Sequence, residues 1–215
     1  MRIRDEKKEQ LVRRKAIELI AKLGLNGFSM QKLARAAHVS PATLYIYYKD
    51  KEDLILRIGI EEGQRMTRTT MEGFHPDMSF REGLKKQWEN RAKFILSHPK
   101  ENNVLEQLKL SNYGDKIFAS VSDEFATVMS RFAHNAVKNK ELIPLPIEVY
   151  WTIAFAPLYN LLRFHFSGRG VGRRPFRFSD KIMYQTLSVV LTALQPQAAP
   201  VTPKPRSTPS NKQLT

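Results

Sequence analysis

The chain has 215 residues, enough to bury a substantial core, and no cysteine, which removes disulfides, thiolate metal sites and cysteine nucleophiles from consideration. The N-terminal MRIRDEKKEQ lacks an apolar segment of signal-peptide type and no stretch of eighteen apolar residues follows, so a cytoplasmic protein without a membrane span is expected. Its net charge of +14 is unevenly placed, with 12 Lys/Arg against 5 Asp/Glu in residues 1–51, 14 against 15 in 52–161, and 9 against 1 in 162–215.

Residues 4–23 put Val12, Ala16, Leu19, Ile20 and Leu23 on one helical face, and Gly24 and Gly27 end and turn that helix. Its cations Lys7, Lys8, Arg13 and Arg14 either meet phosphates or form a solvated face, the second being the commoner use of such a run. Ser29 then stands as an N-cap before MQKLARAA, where Met30, Leu33, Ala34 and Ala37 repeat at helical spacing. Ser40-Pro41 restarts a helix with a capping hydroxyl and a proline at the first helical position. In this second helix Leu44 points inward, and Tyr45, Tyr47, Tyr48 and Lys49 are read as the exposed side, with packing against the first helix the competing role of Tyr48. Two short helices joined by so tight a turn form a helix-turn-helix, whose second helix enters the DNA major groove. The basic N-terminal region is the electrostatic footprint such a unit needs on a phosphate backbone.

Asp50 caps a longer helix from Lys51 to about Glu72, with Leu54, Ile55, Ile58 and Met66 inward. Gly73, His75 and Pro76 break the pattern, Ser79 caps a helix that stops at His98-Pro99, and a short helix follows over about 101–113. A single helix is predicted from about Asp115 to Asn139, through Ile117, Phe118, Val121, Phe125, Val128, Met129 and Phe132, and Ile143-Pro144-Leu145-Pro146 ends it. Two helices remain, about 147–166 and 179–194. The first is apolar nearly all round and carries Pro157 inside it, so a partner surface is expected to cover it. Between them SGRGVGRRPFRFS reads as a mobile solvated loop, with a site for an acidic partner as the sharper alternative. Residues 196–215 are proline-rich and apolar-poor, and read as a disordered basic tail.

The segment MQKLARAAHVSPATLYIYYKDKEDLI, with its Ser29 cap, resembles the DNA-binding domain of the tetracycline-repressor (TetR) family of bacterial regulators, through Leu33-Ala34, Val39-Ser40, Thr43-Leu44-Tyr45, Tyr47-Tyr48 and Lys51-Glu52-Leu54. His38 departs from the pattern, standing where glycine is usual. The resemblance implies an all-α fold of about nine helices: a three-helix helix-turn-helix domain over 1–55 and a helical effector-binding and dimerisation domain over 56–195, before the 196–215 tail. It implies a homodimer on a palindromic double-stranded DNA operator, joined by the last two helices of each subunit in a four-helix interface, with Trp151, Phe155, Leu187 and Leu191 among the facing residues. Ser29, Gln31, Ser40, Pro41, Ala42, Thr43, Tyr45, Tyr47, Lys49 and Lys51 fall on DNA-contacting positions. Gln31 is able to bond a base edge, while Pro41 and Ala42 offer apolar contact only.

Nothing in the chain reads as an enzyme. His38, His75, His98, His134 and His165 form no metal-binding spacing, no GxSxG or P-loop occurs, and GRGVG at 168–172 follows no strand, so no catalytic residue, metal or cofactor is expected. Two functional readings remain. One is a regulator, most simply a repressor, released from DNA by a small apolar or aromatic effector inside a pocket of Trp88, Tyr113, Phe118, Phe125, Met129, Phe132, Phe155 and Tyr159. The other is a ligand-independent DNA-binding protein of the same fold, acting structurally or through protein partners. For each pocket residue singly, plain core packing is the competing role.

Overall fold

The computed structural model describes residues 5–121 and 123–196; among these lie ten α-helices and no strand beyond an isolated bridge between Arg169 and Pro175. Helix α1 (Glu6–Gly27) is capped by Asp5, which accepts the Lys8 amide at 3.2 Å, and is interrupted at Gly24, where φ is 72°. Helices α2 (Met30–Ala36) and α3 (Pro41–Tyr47) begin at the Ser29 and Ser40 caps, and α4 (Lys51–Met71) begins at Asp50. Val12, Ile20, Phe28, Leu33, Leu44 and Ile55 close one core between α1, α2, α3 and the start of α4. Burying an aliphatic or aromatic side chain of this size is worth about 1.5–3 kcal/mol, enough to hold helices of seven residues that would not form alone.

The second core is built on α5 (Phe80–Ser97), α8 (Asp123–Lys138), α9 (Ile147–Ser167) and α10 (Asp180–Leu194). Gly83 lets α8 approach α5, since a Cβ there would stand 2.3 Å from Phe132. The indole of Trp88 donates to the Ala154 carbonyl of α9 at 2.8 Å, next to the turn whose backbone donor Pro157 lacks. Two helices join the cores. Along α4, Leu54, Ile55 and Ile58 belong to the first core, while Met66 and Met71 pack on the second. Helix α6 (Pro99–Lys109) sends Val104 and Leu108 to the first and Leu105 to the second.

Several expectations are corrected. The helix expected over 115–139 is described as α7 (Gly114–Val121) and α8 (Asp123–Lys138), with residue 122 and the side chain of Val121 outside the described residues. Leu23 is exposed, and Ile17 takes the buried place on α1. Phe155, Leu187 and Leu191 are buried inside one chain, so they are not a free dimer surface; Trp151 is half-buried against Phe155, with ring centroids 4.6 Å apart. Leu187 and Leu191 lie one turn apart on the α10 face that meets α9, which leaves the opposite face, with Val189 at 67 % exposure, open. The Arg-rich segment after α9 is a closed turn: the Gly170 amide donates to Arg174 O at 2.8 Å, the Phe176 amide to Gly168 O at 3.1 Å, and Phe176 packs on Phe164. Except for residue 196, the expected tail lies outside the described residues.

Candidate nucleic-acid interface

The turn between α2 and α3 is fixed by backbone bonds. The Val39 amide donates to Ala34 O at 3.0 Å and the His38 amide to Arg35 O at 3.2 Å, the paired bonds of a Schellman helix end. The residue between the last helical turn and Val39 must then be left-handed, and His38 is, with φ 53°. Val39 packs on the first core, and Ser40 opens α3 by accepting the Thr43 amide at 3.2 Å while its hydroxyl meets that of Thr43 at 2.8 Å.

This geometry puts Gln31, Ser40, Pro41, Ala42, Tyr45 and Lys49 on the outside, with Ser29, Thr43 and Lys51 half-buried. Tyr45 is 55 % exposed, whereas Tyr47 is 6 % exposed, which overturns its expected place on the exposed side. Leu44, Tyr47 and Tyr48 stand at i, i+3 and i+4, and together they make the inward face of α3. Burial, aided by the carboxylates of Glu9 and Glu61, pushes the Tyr48 phenol up to about 12, so it stays neutral in the core. Lys51 is engaged: its ammonium donates to Leu25 O at 3.1 Å and Phe28 O at 3.0 Å, and lies 5.8 Å from the Phe28 ring centroid. It ties the start of α4 to the exit of α1.

Three exposed residues were not singled out from the sequence: Lys32, Arg35 and Ile46. Arg35 lies one turn beyond Gln31 on α2, and that i+4 spacing was the available signal. Arg13, expected as a possible phosphate contact, is instead paired with Glu61 at 2.7 Å and with buried Glu62, which also meets Arg65 at 3.6 Å. Burial raises the Glu62 carboxyl above its ordinary range, against the pull of Arg13 and Arg65. Arg65 ties α4 to the end of α5 by donating to His98 Nε2 at 2.6 Å. An arginine can only donate, so His98 accepts there and its Nδ1 proton goes to Phe94 O, 3.1 Å away.

Of the expected effector residues, Trp88, Phe125, Met129, Phe132, Phe155 and Tyr159 gather in or against the second core. Tyr113 does not join them, since it packs on the first core, and Phe118 is 71 % exposed because Ile117 takes the inward place on α7. Among the described residues no group of His, Asp and Glu could hold a metal ion, and no helix is long and apolar enough to cross a membrane.

A capped α2, a left-handed turn and a short α3 presenting small residues at its exposed N-terminal end define a helix-turn-helix DNA-binding protein. Residues 8–58 match the model of the bacterial regulatory proteins of the tetR family. The chain is 28 % identical over 144 residues, 66 % of its length and 75 % of the relative's, to an uncharacterized HTH-type transcriptional regulator of Haemophilus influenzae. Among solved structures, a TetR family transcription regulator from Marinobacter aquaeolei VT8 is 27 % identical and superposes with a TM-score of 0.68 over 92 % of this chain and 100 % of that one. A tetR-family regulatory protein from Rhodococcus RHA1, 18 % identical, shares the fold with a TM-score of 0.72 over 89 % and 99 % of the two chains. Residues 8–58 thus carry a tetR-family DNA-binding domain, and the chain is similar along most of its length to a TetR family transcription regulator.

Proposed function

We propose that the protein is a homodimeric repressor that holds a palindromic operator with two α2–α3 units and leaves it when a small effector occupies the second core. The observation that carries the DNA reading is the outer face of the helix-turn-helix: Gln31 and Arg35 on α2, and Pro41, Ala42 and Tyr45 on α3, are exposed, and Lys32 and Lys49 flank them. Pro41 and Ala42 allow close approach to base edges, and Gln31 is the uncharged donor and acceptor able to read one. Ser29, Ser40 and Thr43 would take phosphates beside their capping bonds. The Tyr47 ring is spent on the core, and Lys51 acts by fixing the unit's orientation.

Pairing of two chains is supported by the apolar residues that α9 and α10 leave uncovered, Val149, Tyr184 and Val189 among them. Release is supported by the two straddling helices. Since α4 and α6 each pack in both cores, a ligand that moves either shifts the recognition unit. Both half-sites are engaged only when the two α3 helices match the DNA repeat of roughly 34 Å, so a ligand favouring another spacing weakens operator binding, by a coupling of about 1–3 kcal/mol. The test is an operator titration with and without a small molecule that raises the protein's melting temperature, repeated in reverse with DNA present. Antagonism requires that each weaken the other by one common factor; equal ligand affinity for free and DNA-bound protein would leave the ligand-independent reading in its place.

A further inference from the structure

Arg91 of α5 is buried in the second core, 2 % exposed, and among the described residues no carboxylate pairs with it. Its guanidinium lies over aromatic rings instead, 4.4 Å from the Phe155 centroid, 5.3 Å from Trp151 and 5.8 Å from Phe125. One Nη donates to the Tyr159 hydroxyl at 2.7 Å, the other to Gln87 Oε1 at 3.1 Å, and Nε has no partner. A second buried donor, the Tyr150 hydroxyl, is also unpartnered, and the charge of Arg91 reaches it, working against the burial that raises its pKa. Taking an arginine out of water without an anion is costly, and ring faces with two neutral hydrogen bonds return only part of that cost.

We propose that Arg91 is the anion-binding residue of the effector site, and that its ligand is a monocarboxylate with a flat aromatic or aliphatic body. One cation with an open N–H suits one negative charge; a phosphate dianion would leave a net charge in the same apolar surroundings. The carboxylate meets the unpartnered Nε–H of Arg91, and the body lies among the rings of Phe125, Trp151 and Phe155. Phe125 and Trp151 are half-buried, so the arginine lies beneath an aromatic layer that itself reaches the surface. The same contacts supply a route to DNA. Gln87, which holds Arg91, donates through its other end to Thr70 O near the C-terminus of α4 at 3.2 Å, and Asn90 donates to that carbonyl at 2.9 Å. A ligand that draws Arg91 away from Gln87 loosens the hold of α5 on the helix that carries the recognition unit.

The inference rests on the effector reading above, and the test separates the two. The wild-type protein is melted and titrated calorimetrically, without DNA, with benzoate, 3-phenylpropionate and octanoate and with the corresponding primary amides. At least one acid should bind and raise the melting temperature while its amide does not. Arg91→Met should lose roughly thirtyfold or more in affinity for that acid and melt higher than wild type in its absence, since an unneutralised buried cation has gone. Arg91→Lys should keep part of the binding. Equal binding of acid and amide, no binding by any of the acids, or unchanged acid affinity in Arg91→Met overturns the proposal. If Arg91→Met does not fold, the acid–amide comparison on wild type and the partial binding of Arg91→Lys still decide it. An acid that binds through Arg91 but leaves operator affinity unchanged removes the effector reading and keeps the site.

Discussion

At His38, a single side chain accepts a conformation that the turn demands. Because φ is 53°, His38→Gly should raise stability by about 1 kcal/mol in denaturant melts without altering operator preference, and an unchanged midpoint would mean that the turn is not strained. Gln31→Ala should relax preference at one base pair per half-site by about 1–3 kcal/mol, read by competition with substituted duplexes. Lys51→Ala removes two charge-assisted bonds to carbonyls at the α1 exit; it should lower thermal stability and weaken binding to every sequence alike. The Asp53 carboxyl is driven upward by burial, but the Lys49 amide and Arg57 outweigh that and hold it below its ordinary value, so its contribution is present above the unfolded pKa of about 4 and is lost as pH falls through the folded value. Asp53→Asn should therefore flatten the acid limb of the stability profile. The caps Ser29, Ser40 and Asp50 were legible because capping is decided within four residues. Arg13 was not, since its partners lie 48 and 49 positions away on another helix.

Helices were legible where proline and glycine punctuate them, as at His98-Pro99 and at the Ile143-to-Pro146 break, and where apolar spacing persists through many turns. Helix α3 shows the limit. Two turns give too few repeats to say which tyrosines face inward, and only the packing of α1 and α4 decides it. Leu187 and Leu191 were expected on a facing surface of α10, but not whether that surface meets α9 of the same chain or of a partner, because both are apolar. The approach of α4 to α7 left a fainter trace, a glycine in mid-helix. A Cβ at Gly59 would stand 2.3 Å from Ile117 Cδ1, so Gly59→Ala forces the two helices apart at a cost of about 1–3 kcal/mol, against a helix-propensity gain of about 1 kcal/mol. Net destabilisation with a shifted effector response is expected in thermal melts and ligand titrations, and a more stable protein would show that Ile117 repacks freely.

For the molecule as a whole, the resemblance carried the architecture, while the correction to the dimer surface came from burial that no single helix reveals. That correction makes a contrast between two substitutions. Val189→Asp, on the uncovered face of α10, should yield a folded helical monomer with weakened operator binding, whereas Phe155→Asp, at 0 % exposure inside one chain, should unfold the second core. Sedimentation together with circular dichroism distinguishes them; a native dimer from Val189→Asp would move the interface elsewhere. The most direct measurement of the regulator's central property is selection of bound duplexes from a randomised DNA pool by the purified protein. The expected result is an inverted repeat whose half-site centres lie about one helical turn, or a multiple of it, apart, since two α3 helices related by a two-fold axis must enter major grooves on one side of the duplex. Enrichment of no sequence, or of one without two-fold symmetry, would contradict it.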